Sequence, residues 1–128
     1  MHVKTPIQTI RLQARPRALA LSPDSSRLYS GSDDATVKAW DTATGRCLAT
    51  YEGHEGEIAA LALSPDGSRL YSGSGDKTVK AWDTATGRCL ATYEGHGGWV
   101  RALALSPDGS RLYSGSYDRT VKVWDTAL

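Results

Sequence analysis

A segment of about twenty residues occurs three times in this chain, at a fixed spacing of 42 residues. The best-preserved copy is Ser64–Asp83, SPDGSRLYSGSGDKTVKAWD, which returns at Ser106–Asp125 and, with more changes, at Ser22–Asp41. A repeat of this length forms one supersecondary unit that cannot bury a core alone, so adjacent copies must pack together. The 128 residues are therefore expected to build three packed units rather than one ordinary domain.

Each repeat contains four short runs separated by turn residues, which is the pattern of an antiparallel meander. In the second repeat the runs are Arg46–Tyr51, Ile58–Leu63, a run that opens with Arg69–Ser72, and Thr78–Trp82. The SPDG sequence at 64–67 has the proline and glycine preferences of a type I turn. A four-stranded sheet of about 40 residues cannot stand alone, and stacking such sheets as the blades of a propeller solves this problem.

Two dipeptides recur with the repeat, glycine-histidine at Gly53-His54 and Gly95-His96, and tryptophan-aspartate at Trp40-Asp41, Trp82-Asp83 and Trp124-Asp125. The segments LALSPDG and LYSGS lie between them. In these features the chain resembles the WD40 β-propeller family over nearly its whole length. The resemblance implies an all-β fold of three four-stranded antiparallel blades.

The resemblance also implies a buried hydrogen-bonded set of histidine, serine, aspartate and tryptophan in each complete repeat. The expected members are His54, Ser72, Asp76 and Trp82 in the second repeat, His96, Ser114, Asp118 and Trp124 in the third, and Ser30, Asp34 and Trp40 in the first. Leu12 stands where the histidine of the first repeat belongs, so that network should be incomplete. Ser72 and Ser74 fall on one face of an alternating strand, so the sequence does not decide which of them supplies the hydroxyl.

The phase of the repeat assigns the two ends of the chain to incomplete blades. Aligned by 42 residues, Lys4–Thr9 corresponds to Arg46–Tyr51 and is expected to be the outermost strand of a blade, the twelfth strand in all. In the WD40 family, the N-terminal strand pairs with the last blade and so closes the ring. The resemblance therefore implies that the strand around Ile7 and Ile10 has this role. The predicted divisions are residues 1–12 as the outer closing strand, 13–54 as the inner strands of blade 1 plus the next outer strand, 55–96 as repeat 2, and 97–128 as repeat 3 without its outer strand.

Three blades do not close a ring, because propellers need about four to eight. The sequence therefore predicts a homo-oligomer in which the N-terminal strand of one chain completes the last blade of the next, a head-to-tail contact that must close by rotation. Two chains give six blades at about 60° each, and three give nine at about 40°. Rings of seven or eight blades need about 51° or 45°, so the homo-trimer is favoured over the homo-dimer.

Composition and charge exclude several classes of partner. The formal net charge of +1 provides no field for recruiting nucleic acid or an anionic membrane. Hydrophobic residues make up 40% of the chain, yet no apolar run approaches the about 18 residues of a membrane span. With no recognisable signal peptide, we expect a cytoplasmic protein.

No cofactor, metal site or catalytic site is predicted. Cys47 and Cys89 occupy equivalent repeat positions, too far apart for a disulfide, and are expected to be free thiols. His54 and His96 match structural positions rather than metal ligands or bases. Asp34 matches a turn residue, so Asp33-Asp34 is not a carboxylate dyad. Nothing in the sequence indicates an enzyme.

Four side chains of the third repeat are candidates for binding a protein or peptide. Trp99, Arg101, Tyr117 and Arg119 lie in two connections that emerge at the same end of an up-and-down blade. Aromatic and arginine side chains are the usual anchors of protein recognition. The alternative is that these loops simply tolerate variation and that Trp99 caps the neighbouring blade.

The last two repeats are nearly identical. Thr42–Asp83 and Thr84–Asp125 differ at seven of 42 positions. Recent amplification, deliberate consensus design and excision from a longer repeat array all account for this uniformity, and the sequence does not separate them.

Overall fold

The computed structural model describes all residues, 1–128, and consists of eleven β-strands joined by turns. The strands are β1 (Pro16–Leu21), β2 (Arg27–Ser32), β3 (Val37–Asp41), β4 (Cys47–Tyr51), β5 (Ile58–Leu63), β6 (Arg69–Ser74), β7 (Val79–Asp83), β8 (Cys89–Tyr93), β9 (Val100–Leu105), β10 (Arg111–Ser116) and β11 (Val121–Asp125). Alternating apolar and polar residues between turn residues explain why each run is a strand.

The strands form three antiparallel sheets, which we call blades 1, 2 and 3. Blade 1 has the order β1-β2-β3-β4, blade 2 has the order β5-β6-β7-β8, and blade 3 contains only β9, β10 and β11. The predicted all-β blades are confirmed. Blade 3 has three strands within the single chain, in agreement with the prediction that residues 97–128 lack an outer strand. Its last strand, β11, is an edge without a partner.

The predicted strand at Lys4–Thr9 does not form within the chain. The N-terminal segment lies beside blade 1, at the opposite end of the arc from the free edge of β11, and Gln8 and Ile10 come within 4 Å of the Cβ position at Gly45. A strand requires a hydrogen-bonded neighbour. Lys4–Thr9 pairs with none of the eleven strands, so the segment remains irregular.

The blades pack face to face, and each interface is an apolar core. The core between blades 1 and 2 includes Tyr29, Val37, Ile58 and Trp82. The core between blades 2 and 3 repeats it one blade later. The inner strands β1, β5 and β9 lie next to one another, as expected for the crowded centre of a propeller.

The tight turns follow the sequence. In the SPDG turn, the Gly67 N–H donates to the carbonyl of Ser64 at 2.9 Å, and Gly67 has a φ of +76°. Glycine adopts this left-handed conformation without steric cost. In blade 1 the same position is occupied by Ser25, with a φ of +63°.

Candidate functional site

The polar residues predicted from the repeat pattern converge in blade 2. Nδ1 of His54 lies 2.8 Å from Oδ2 of Asp76, and Nε2 of His54 lies 2.6 Å from Oγ of Ser72. The indole N–H of Trp82 donates to the same Ser72 oxygen at 2.8 Å. The four residues predicted for this repeat therefore form one continuous chain of hydrogen bonds.

The geometry fixes the direction of the protons in this chain. A carboxylate only accepts, so Nδ1 of His54 carries the proton and donates to Asp76. Nε2 is then an acceptor and takes the hydroxyl proton of Ser72, whose oxygen accepts from Trp82. Both ring nitrogens of His54 are engaged, which leaves no free lone pair for a metal ion or for general-base chemistry.

The environment shifts the pKa values of both ionisable members. Burial lowers the pKa of His54 below its ordinary value of 6.5, although the hydrogen bond to Asp76 acts in the opposite direction. Burial raises the pKa of Asp76, but hydrogen bonds from Thr78, His54 and the Glu55 N–H outweigh it and lower the pKa to about 2. At neutral pH the pair therefore consists of a neutral imidazole and a carboxylate.

Blade 3 repeats the arrangement with the same distances. His96 lies 2.8 Å from Asp118 and 2.6 Å from Ser114, and Trp124 donates to Ser114 at 2.8 Å. The hydroxyl of Thr120, the Gly97 N–H and His96 all donate to the Asp118 carboxylate, and these bonds lower its pKa.

Blade 1 retains only part of the network. Trp40 donates to Ser30 at 2.9 Å, but Leu12 offers no second partner to that hydroxyl. Asp34 instead accepts from Thr36 and Ser32 within its own turn.

The structure also distinguishes the two serines that the sequence left open. Ser72 joins the network, whereas the hydroxyl of Ser74 donates to the carbonyl of Gly56 at 2.9 Å and accepts from the Asp76 N–H. Ser74 thus ties the loop before β5 to the end of β6. The choice depends on where the loop passes, which alternation along a strand does not reveal.

The aromatic and arginine residues predicted at the rim are brought together. The rings of Trp99 and Tyr117 are 6.3 Å apart, and the Arg101 guanidinium lies 4.7 Å from the centre of the Tyr117 ring. Arg119, in the turn after Tyr117, is exposed. Sequence reasoning missed Arg17 of blade 1, which reaches to 6.0 Å from the Trp99 ring across the curvature of the arc.

Trp99 is only half-buried, yet it rests on the neighbouring blade. A Cβ placed at Gly75 would lie 2.8 Å from Cε2 of Trp99, so the indole packs directly against the backbone of blade 2. Tyr117 is exposed. The two rings therefore differ: one contributes to the contact between blades, and the other faces outward.

The outer face of blade 3 exposes apolar side chains that are buried in the other blades. Tyr113 is 40% exposed, whereas its counterparts Tyr29 and Tyr71 are 2% and 1% exposed. Val121 is 69% exposed, whereas its counterparts in blades 1 and 2 are fully buried. The difference arises because no blade follows blade 3 within the chain.

Blade 1 exposes the opposite half of the same interface. Leu19 and Leu21 are exposed, and a cavity of about 400 Å³ opens between this face and the N-terminal segment. Ile10 and Leu12 line that cavity, but Ile7 is fully exposed. Of the two residues assigned to closure, Ile10 therefore lies against blade 1 and Ile7 is exposed to solvent.

Two further observations concern the surface. Cys47 and Cys89 are exposed and unpaired. No helix in the structure has the length and apolar character needed to cross a lipid bilayer.

Comparison with known proteins decides the family. The family model "WD domain, G-beta repeat" matches residues 4–41, 45–83 and 87–125, which together span most of the chain. The chain belongs to the WD40 family.

The relatives of this WD40 chain match over single repeats. Human WD repeat-containing protein 86 is 50% identical over 40 residues, which is 31% of this chain and 11% of that protein. The Lissencephaly-1 homolog of Dictyostelium discoideum is 58% identical over 33 residues, which is 26% of this chain and 8% of that protein. The WD40 chain thus covers only about a tenth of the length of these relatives.

Solved structures agree with the fold. The structure titled "Structure of U3-55K" superimposes with a TM-score of 0.86 at 32% identity, over 91% of this chain and 37% of that one. The structure titled "Crystal structure of RRP9 WD40 repeats" gives the same values. The three WD40 blades therefore correspond to little more than a third of those chains.

Proposed function

We propose that this WD40 chain is a non-enzymatic building block that assembles with copies of itself into a closed propeller and serves as an interaction scaffold. One observation carries the proposal. The exposed face of blade 3 and the exposed face of blade 1 are the two halves of an interface that already occurs twice within the chain. A head-to-tail contact between copies would bury both faces and leave no open end.

The free edge of β11 supports the same assembly. In blades 1 and 2 the third strand pairs with an outer strand in one register, for example Ala39 with Ala49 and Ala81 with Ala91. Advanced by one repeat, that register pairs Val123 of one copy with Ile7 of the next. Val123 and Ile7 are both exposed in the single chain, and an unpaired apolar edge favours association.

The trimer remains the favoured assembly on geometric grounds. The angle between neighbouring blades is about 40° in a ring of nine blades and about 60° in a ring of six. The angle in the nine-bladed ring is closer to the angles found in rings of seven or eight blades. Strain in packing would otherwise recur at every interface.

The mass in solution tests the assembly directly. Light scattering after size exclusion, over a dilution series, is expected to give three times the chain mass of 13.7 kDa. Ile7→Asp should shift the protein toward a folded monomer, because it places a charge against Val123 of the next copy. Val3→Asp, outside the paired segment, is the matched control. A wild-type chain that remains monomeric and folded at micromolar concentration would overturn the proposal.

A second candidate function is the binding of a protein or peptide at the rim. The stacking of Arg101 on exposed Tyr117, with Arg119 nearby, favours a ligand that carries acidic side chains beside apolar ones. Trp99→Ala and Tyr117→Ala should abolish binding to an array of acidic peptides while the assembly keeps its mass. Equal loss of binding and assembly would favour a purely structural role for both rings.

A further inference from the structure

Both interfaces within the chain share one close contact between a glycine and a branched side chain. A Cβ placed at Gly31 of blade 1 would lie 2.8 Å from Cβ of Ile58 in blade 2. One placed at Gly73 of blade 2 would lie 3.2 Å from Cβ of Val100 in blade 3. Ile58 and Val100 are both fully buried. Each glycine on the second strand therefore provides a seat, defined here as the space above its Cα, for the first residue of the next inner strand.

The third seat is empty within the single chain. A Cβ placed at Gly115 would meet only Ala102 of its own blade, at 3.6 Å. The space above it is a shallow apolar pocket of about 190 Å³, whose lining includes Tyr113 and Val121. Tyr113 and Val121 are the side chains that are exposed in blade 3 but buried at the equivalent positions of blades 1 and 2. The seat above Gly115 therefore lies within the exposed face of blade 3.

The position that would fill this seat is Pro16. It stands 42 residues before Ile58 and 84 before Val100, and it opens β1 as they open β5 and β9. Pro16 pairs with Ser32 and the register shifts immediately after it, as it does at Ile58 and Val100.

The backbone and the exposure at Pro16 agree with this equivalence. The carbonyl of the residue before it accepts a hydrogen bond from the backbone N–H of the residue that follows the second strand. The distance is 3.1 Å in blade 1, 2.8 Å in blade 2 and 3.0 Å in blade 3. The backbone is therefore already in the seated conformation. Pro16 differs from its two counterparts in that it is exposed.

We infer that Pro16 of a second copy of this chain occupies the seat above Gly115. This inference rests on the proposed assembly and deepens it, because it names the contact that aligns blade 1 of one copy with blade 3 of another. Proline suits the position, since its ring fixes φ in advance and little side-chain entropy is lost on docking. The absence of a side chain at Gly115 is then required by the neighbouring copy rather than by its own blade.

A size swap tests the seat. Gly115→Val fills it and is tolerated by the single chain, because the added Cβ meets one ordinary contact. It should raise the dissociation constant of the assembly about 10- to 100-fold, as overpacking does in a core. Pro16→Gly removes the inserted ring and should also weaken the assembly. The double variant, Gly115→Val with Pro16→Gly, should recover at least part of the loss, since the new side chain occupies the space that the proline vacates.

Two further variants make the test specific. Gly97→Val places the same side chain at an exposed glycine whose counterpart in blade 2 is Glu55, so it should leave the assembly unchanged. Pro16→Val copies the residue that fills the Gly73 seat and should retain assembly. Dissociation is followed by light scattering on dilution, with circular dichroism to check that each variant keeps its strands.

The outcomes separate this inference from the proposed function. A wild-type chain that does not assemble overturns both. A wild-type chain that assembles, with Gly115→Val and Pro16→Gly dissociating no more readily than Gly97→Val, overturns the seat alone. Single variants that both weaken assembly, with no recovery in the double variant, also overturn the pairing of Pro16 with Gly115.

Discussion

Nε2 of His54 lies 2.6 Å from the hydroxyl of Ser72, and the same oxygen accepts the indole N–H of Trp82. One buried hydroxyl thus forms hydrogen bonds with two buried ring nitrogens, one from the loop before β5 and one from β7. In blade 1, Ser30 serves Trp40 alone, because Leu12 replaces the histidine. The chain therefore contains a natural comparison between a complete network and a truncated one.

Ser72→Ala should cost more stability than Ser30→Ala. The first change leaves an acceptor of His54 and a donor of Trp82 without partners, which should lower the free energy of unfolding by about 2–4 kcal/mol. The second leaves only the Trp40 donor and should cost about 1–2 kcal/mol. Urea titration at one fixed chain concentration measures both, since assembly links stability to concentration. Equal losses would show that the hydrogen bond between His54 and Ser72 adds nothing to the free energy of unfolding.

The same network predicts how stability changes with pH. The pKa of His54 is lowered, so its contribution is complete above pH 6.5 and declines as the unfolded chain gains a proton below that value. The pKa of Asp76 falls from 3.8 to about 2, so a second decline follows between those two values as the pH decreases. Urea titrations from pH 8 to pH 2 should therefore show a plateau followed by two losses.

Asp76→Asn removes one contribution to the acidic step, to which Asp118 also contributes because hydrogen bonds lower its pKa as well. The variant should be less stable than the wild type at neutral pH, but it should lose less stability between about pH 4 and pH 2. Asp33→Asn, outside the network, is the control and should retain the full acidic decline. An unchanged profile for Asp76→Asn would show that Asp76 does not contribute to that decline.

Eleven of the twelve strands predicted from the sequence form, for a physical reason. Periodic turns and alternation determine which runs pair locally, and a period of 42 residues repeats that information three times. The choice between Ser72 and Ser74 was not predictable, because it depends on the path of the loop at Gly56. The contact of Arg17 with Trp99 was missed because it depends on the curvature between blades.

The N-terminal segment shows a second limit on what can be predicted from the sequence. Its sequence matches an outer strand, yet the segment around Ile7 is irregular because it pairs with no strand of its own chain. Local pattern predicts what a segment is able to form, whereas the partner strand determines whether it forms. The register of β11 suggests that this partner belongs to another copy.

Ser25→Gly should stabilise blade 1. Ser25 has a φ of +63°, a left-handed conformation that costs a residue with a Cβ about 1–2 kcal/mol. Glycine removes that cost but adds about 0.5–1 kcal/mol of entropy in the unfolded chain, so we expect a net gain of about 0.5–1 kcal/mol. The reverse change, Gly67→Ser, should cost more than this, because its Cβ would also lie 3.1 Å from Cδ of Pro23. A loss of stability in Ser25→Gly, measured by thermal unfolding, would contradict this account.

Gly31→Ala should destabilise the interface between blades 1 and 2. The added Cβ would lie 2.8 Å from Cβ of fully buried Ile58, so either the side chain or a strand must move. Overpacking of this kind costs about 1–3 kcal/mol. Gly97→Ala is the matched control, since its Cβ would lie 3.8 Å from Cβ of Asp118, and it should stay within about 0.5 kcal/mol of the wild type. Urea titration distinguishes the two. Ile58→Ala should cost less in the Gly31→Ala background than in the wild type, because it removes the Cγ2 methyl group that would lie closest to the added Cβ. A Gly31→Ala protein as stable as the control would mean that the blades separate at little cost, and the rigid spacing from which we inferred the contact between copies would then no longer hold.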